Sequence, residues 1–275
     1  MFNALQRHWP EYLIEAWALG TFMLSAAVFT TLIDRPGSPL YAAIGDADLR
    51  RMLIGIAMGL TAIGLIYSPW GQRSGAHMNP AVTLTFLRLG RIRAADACGY
   101  IAAQLAGGVL GVLFASALLG AAFTEPPVNH VVTVPGPRGA GVAFVAELAI
   151  SAVMMLVILT ASASPRFARY TGVFAGVLVA AWITLEGPLS GMSMNPARTA
   201  ASAVPARLWD SFWVYLTAPV VGMQLGALAH RWIRPRSGGC AKLQHGRGQR
   251  CIHCGYEPAL DEAPARDCRP QSSRV

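Results

Sequence analysis

The tripeptide Asn-Pro-Ala occurs twice, as Asn79-Pro80-Ala81 and as Asn195-Pro196-Ala197, and each copy opens an apolar segment only a few helical turns long. Each is preceded by a glycine-containing approach, Ser74-Gly75-Ala76-His77-Met78 in one case and Ser190-Gly191-Met192-Ser193-Met194 in the other. Asparagine is a good helix N-cap, and proline suits the first helical position because the N–H it lacks would be unsatisfied there anyway. The segments that follow are too short to cross a bilayer and too apolar for an exposed loop. They read as half-helices that dip into a membrane and return.

The remainder of the chain supplies the membrane spans. Apolar runs cover Tyr12–Ile33, Met52–Tyr67, Ala94–Phe123, Val142–Ala163, Tyr170–Leu185 and Phe212–Ile233. The first is too long for a signal peptide and lacks a cleavage site, so it reads as a retained helix. Glycines at 99, 107, 108 and 111 allow close helix contacts within the third run. Each half of the chain, residues 11–123 and 140–233, orders its parts as span, span, broken segment, span. An odd number of spans per half inverts the second half relative to the first, which places a binding or conduction site near the midplane at the broken helices. A glutamate recurs early in each half, Glu15 and Glu147. The expected fold is an all-α membrane protein of six transmembrane helices plus two re-entrant half-helices.

Composition agrees. Only 13% of the 275 residues are charged and 54% are hydrophobic, whereas soluble domains carry about a quarter charged residues. Disorder is excluded for most of the chain, and five cysteines are too few for a disulfide scaffold. The net charge of +8 does not indicate nucleic acid, because the basic residues lie at the ends of apolar runs and in the tail. With the N-terminus inside, one side of the membrane holds sixteen Lys and Arg and the other six. Both termini are then cytoplasmic by the positive-inside rule, and without the tail the balance is nearly even. The expected location is a bacterial cytoplasmic membrane.

Two half-helices entering from opposite faces would meet N-terminus to N-terminus. Their dipoles place partial positive charge at the midplane, and the two asparagine amides can donate to a passing oxygen. Cations and protons are opposed there, while a neutral hydroxylic molecule can accept the donors. At these residues, 74–83 and 190–199, the chain resembles the aquaporin (major intrinsic protein) family over roughly residues 11–233, with looser matches at Glu147 and Tyr215–Pro219. The resemblance implies a pore in each subunit of a homotetramer, a passive channel for water or small neutral solutes such as glycerol, no enzymatic step and no required cofactor.

By the same resemblance, Asn79 and Asn195 are the paired midplane asparagines and Arg198 is the arginine of the outer constriction. His77 lines the cytoplasmic half of the pore or packs structurally. The other constriction positions depart from the water-specific pattern: Met192 and Ile183 stand at two of them, and the second-helix position is Met58 by motif or Gly59 by ungapped count. Thr199 after the arginine departs from the glycerol-facilitator pattern. The filter is therefore one arginine among mostly apolar walls. Glu15 and Glu147 either relay protons, as a coupled transporter would require, or anchor the backbone of the approach loops; the spacing after Glu15 departs from the family's.

Residues 237–275 lie outside the resemblance and form a cytoplasmic tail. Cys251-Ile252-His253-Cys254-Gly255 resembles one knuckle of a zinc ribbon, with Cys240 and His245 as candidates to complete four ligands and His253 and Cys268 as competitors. The alternative is a basic tail near anionic lipid. A metal or thiol gate acting through this tail is a further reading.

Overall fold

The computed structural model describes residues 2–234, 239–245, 248 and 250–256; Cys268 lies outside them. Helix α1 (Phe2–Asp34) is followed by α2 (Ala47–Tyr67), the half-helix α3 (Pro80–Arg88) and α4 (Ala94–Leu119). The second half repeats this order with α5 (Gly139–Ser162), α6 (Thr171–Leu185), the half-helix α7 (Pro196–Ala206) and α8 (Phe212–Ile233). Six of these helices are long and apolar enough to cross a membrane, so the expected all-α architecture is the one observed. Large apolar side chains such as Leu60, Leu110, Leu118, Val145 and Leu185 are exposed on the outside, as a lipid-facing surface requires.

Packing repeats with the sequence. Helix α1 lies against α4, and α5 lies against α8 in the same way. The crossings are set by small residues: a Cβ at Gly107 would come within 2.1 Å of the Ala16 carbonyl, and one at Gly222 within 2.3 Å of the Leu148 carbonyl. Without a hydrophobic drive between helices in lipid, such backbone approach is what gives van der Waals contact. Helices α2 and α6 close the bundle between the two pairs.

Several boundaries differ from the apolar runs. Helix α1 begins at Phe2 rather than near Tyr12, because polar residues of its first turns find partners. His8 and Tyr12 both reach Asp96, at 2.6 and 2.7 Å, and Glu11 accepts from Arg73 at 3.0 Å. Helix α4 stops at Leu119 rather than Phe123, since Gly120 takes φ 56° and breaks the helix. Helix α7 runs for eleven residues, about three turns. The polar segment before α5 contains a left-handed turn, in which Asn129, His130 and Val131 all have positive φ.

Candidate functional site

Each approach loop is held by one glutamate. Glu15 Oε1 accepts from Ser74 Oγ at 2.7 Å and from the His77 amide at 3.0 Å, and its Oε2 accepts from the Met78 amide at 2.7 Å and Gln104 Nε2 at 2.8 Å. Glu147 does the same in the second half, accepting from Ser190 Oγ at 2.8 Å and from the amides of Ser193 and Met194 at 2.6 and 2.7 Å. A tyrosine completes each clamp: Tyr100 donates to the Ser74 carbonyl at 2.7 Å and Tyr215 to the Ser190 carbonyl at 2.6 Å. Both glutamates are fully buried.

The clamps sustain an unusual backbone. Ala76, Met78, Met192 and Met194 all take φ near +50°, a conformation that costs a non-glycine residue about 1–3 kcal/mol and persists only where surroundings over-determine it. In a planar trans peptide the N–H and the preceding carbonyl point opposite ways. With the amides of 77, 78, 193 and 194 turned onto the glutamates, the carbonyls of 76, 77, 192 and 193 face away from them. These residues line a cavity, so each loop offers it a short ladder of acceptors.

Asn79 and Asn195 each do two things. As N-caps they accept from their own helices, Asn79 Oδ1 from the Ala81 amide at 2.8 Å and Asn195 Oδ1 from the amides of Ala197 and Arg198 at 3.0 and 3.2 Å. Their Nδ2 groups donate across the repeat, Asn79 to the Met194 carbonyl and Asn195 to the Met78 carbonyl, both at 2.7 Å. The half-helices therefore meet N-terminus to N-terminus. Each amide has a second N–H beyond the one used in the cross-link.

A cavity of about 300 Å³ passes both asparagines. Its wall contains Met58, His77, Ile183, Met192 and Arg198. Gly59 is not in the wall; it packs on α6, where a Cβ would come within 2.5 Å of the Gly176 carbonyl. Pro80, Ala81, Pro196 and Ala197 are buried at the half-helix starts, directly after the asparagines. Glu15 and Glu147 also stand behind the wall, not in it. Arg198 donates through Nη1 to the Val131 carbonyl at 2.8 Å, so the left-handed turn before α5 fixes the guanidinium. Sequence reasoning missed Val131, Tyr100 and Gln104, whose contacts are all long-range.

Glu186, just beyond the C-terminal end of α6, was also missed. It is buried, and neither carboxylate oxygen is hydrogen-bonded among the described residues. Burial, opposed by the nearby Ser190 hydroxyl and helped by Glu147, raises its pKa to about 8.

In the tail, one donor atom from each of Cys240, His245, Cys251 and Cys254 lies within 4.8 Å of the other three. Cys240 Sγ is 3.3 Å from Cys251 Sγ, and His245 Nε2 is 3.4 Å from Cys254 Sγ. Zinc–sulfur bonds of about 2.3 Å in a tetrahedron imply sulfur separations of roughly 3.8 Å, so the spread of these atoms fits such an ion. The competitor His253 is turned elsewhere. Its ring stacks on His77 with centroids 5.9 Å apart, and its Nε2 is 3.1 Å from the Ser74 carbonyl.

The sequence pattern of the family described as major intrinsic protein matches residues 9–230. The chain belongs to that family. Over 181 residues this family member is 36% identical to a probable aquaporin of the NIP type from Nicotiana alata, covering 65% of this chain and 64% of the relative. Over 232 residues it is 30% identical to the probable aquaporin NIP7-1 from Arabidopsis thaliana, covering 84% and 80%. The match thus spans just under two thirds of the first relative's length. Among solved structures, the X-ray structure of the aquaglyceroporin from Plasmodium falciparum superposes with a TM-score of 0.66 over 83% of this chain and 98% of that one. At 19% identity, that likeness concerns the major intrinsic protein fold alone.

Proposed function

We propose that the protein is a passive channel for water, small neutral solutes such as glycerol, or both, and that it excludes ions and protons. The observation that carries this reading is the cavity that passes Asn79 and Asn195 where two half-helix N-termini meet. Partial positive charge from both helix dipoles repels cations there. The amides reorient a passing water as donors, which breaks the directional wire a proton would need.

Met58, Ile183, Met192 and Arg198 form the proposed filter. Arg198 supplies the donors and a fixed positive charge, while the three apolar side chains offer a permeant no hydrogen bond. The coupled-transport alternative would need Glu15 or Glu147 to bind and release protons within the cavity. Both are committed to backbone amides behind its wall, which favours the passive reading.

The positive-inside bias, carried mostly by the tail, supports both termini on the cytoplasmic face. The family supports a homotetramer with one pore per chain.

The test is light-scattering relaxation of proteoliposomes after an osmotic step, with sucrose and then glycerol, using the full chain and a form lacking residues 237–275. Shrinkage faster than empty vesicles supports a channel, and glycerol re-entry reports the permeant. If neither form exceeds empty vesicles, the channel reading falls.

A further inference from the structure

We propose that Cys240, His245, Cys251 and Cys254 bind one zinc ion, and that the zinc-bound tail plugs the cytoplasmic mouth of the pore through Leu243. The proposal rests on the channel reading above and adds a gate and its ligand.

The donor set is chemically suited to zinc. Three thiols and one imidazole converge within 4.8 Å, a combination that binds zinc tetrahedrally in closed structural sites. A tight turn presents the second pair: the Gly255 amide donates to the Cys251 carbonyl and the Cys251 amide to the Tyr256 carbonyl, both at 2.9 Å. Gly255 takes φ +74° to permit it. Isolated segments below about 40 residues seldom hold a fold without a metal or disulfides, and a metal that binds only the folded form contributes its binding energy to folding.

Each pair of ligands brackets a segment seated on the first approach loop. Of the four residues between Cys240 and His245, Ala241, Lys242 and Leu243 are 0, 3 and 5% exposed and Gln244 is half-buried. The Ala241 carbonyl is 2.6 Å from His77 Nε2, the Leu243 amide donates to the Gly75 carbonyl at 3.1 Å, and Lys242 Nζ donates to the Gln72 carbonyl at 2.9 Å. The approach is close enough that a Cβ on Gly75 would stand 2.9 Å from the Ala241 carbonyl. Between Cys251 and Cys254 lies His253, stacked on His77 and edge-on to Tyr100.

Seated this way, the tail competes with the permeant. Leu243 is part of the cavity wall, which also contains Met223, Val82 and Ile66. His77 Nε2, a ring nitrogen of the cavity wall that a hydroxylic molecule would meet on entering, is engaged by the Ala241 carbonyl of the tail, and the Gly75 carbonyl behind it accepts from the Leu243 amide. Zinc fixes both ends of the 240–245 loop and so holds Leu243 in place. Removing zinc releases the ends and opens the mouth.

The experiment uses full-length protein purified under reducing conditions. Zinc content is measured by elemental analysis, and Co²⁺ replacement is read by the visible bands of tetrahedral thiolate cobalt. Osmotic flux is then compared for zinc-loaded protein, protein stripped with chelator before reconstitution, Cys251→Ser, Leu243→Ala and the form lacking residues 237–275. We expect one zinc per chain, slow flux when loaded, and several-fold faster flux in the stripped, Cys251→Ser and truncated forms. Leu243→Ala is expected to be fast with zinc still bound, which separates the plug from the metal. Absence of zinc and of the cobalt bands overturns the site. Zinc bound with equal, fast flux in all forms overturns the plug. Flux no faster than empty vesicles in every form, the truncated one included, overturns the channel reading beneath it.

Discussion

Asn79 donates its side-chain amide to the carbonyl of Met194, a residue 115 positions away in the opposite repeat, and the bond is 2.7 Å long. The reciprocal bond from Asn195 to Met78 makes the meeting of the half-helices a two-point cross-link. It joins helix capping to pore geometry, because the side chain that satisfies its own helix also fixes the position of the other loop.

Asn195→Ala removes both functions. The lost cap costs about 1 kcal/mol, and leaving the Met78 carbonyl without its partner costs roughly 1–3 kcal/mol more. Thermal unfolding in detergent should show a clearly lowered midpoint. In vesicles that retain folded protein, a proton-sensitive dye should report greater leak than wild type. An unchanged midpoint would mean that the cross-link contributes little.

Glu147→Gln tests whether the buried carboxylates are scaffold or relay. Glutamine keeps the shape but offers one acceptor oxygen in place of two, against three donors. Hydrogen bonds to a charged acceptor contribute about 1.5–3 kcal/mol each, so the variant should lose stability on that order. Its flux, in whatever fraction folds, should show no dependence on an imposed pH gradient, as in wild type. Wild-type flux that follows the gradient and a variant that does not would point to proton coupling instead.

The half-helices and their asparagines were legible because capping and proline placement are local rules written within four residues. The six spans were legible for the same reason, through length and hydropathy. The role of Glu15 was not readable from spacing. Its carboxylate reaches the loop by helix face, so a departure in the distance to the next glycine does not alter the clamp it makes with Ser74, His77 and Met78. Val131 was invisible, since only a left-handed turn makes its carbonyl available to Arg198. The seating of Ala241 and Leu243 on the pore loop carries no periodic or compositional signal either; it follows from what the flanking cysteines and histidine hold together.

Arg198→Ala should widen and neutralise the proposed filter. The guanidinium is held by Val131, and nothing else in the proposed filter carries charge. Without it, glycerol entry should rise relative to water, and cation conductance should become measurable in planar bilayers. The comparison is best made without residues 237–275, so that the plug does not limit the flux. Unchanged glycerol-to-water ratio would place the selectivity elsewhere in the cavity.

Glu186 gives the stability a pH dependence with a definite sign. Its folded pKa, about 8 against an ordinary 4.5, means that the folded state holds a proton the unfolded state releases across that window. Stability from this group is complete below pH 4.5 and declines as pH rises toward 8, levelling off above it. Glutamine at this position is neutral at every pH and removes the decline. Unfolding midpoints measured from pH 5 to 9 should therefore fall more steeply for wild type than for Glu186→Gln, with the two curves diverging through the middle of that range. Parallel curves would mean that Glu186 finds a solvating partner in the membrane-embedded protein and is ionised at neutral pH.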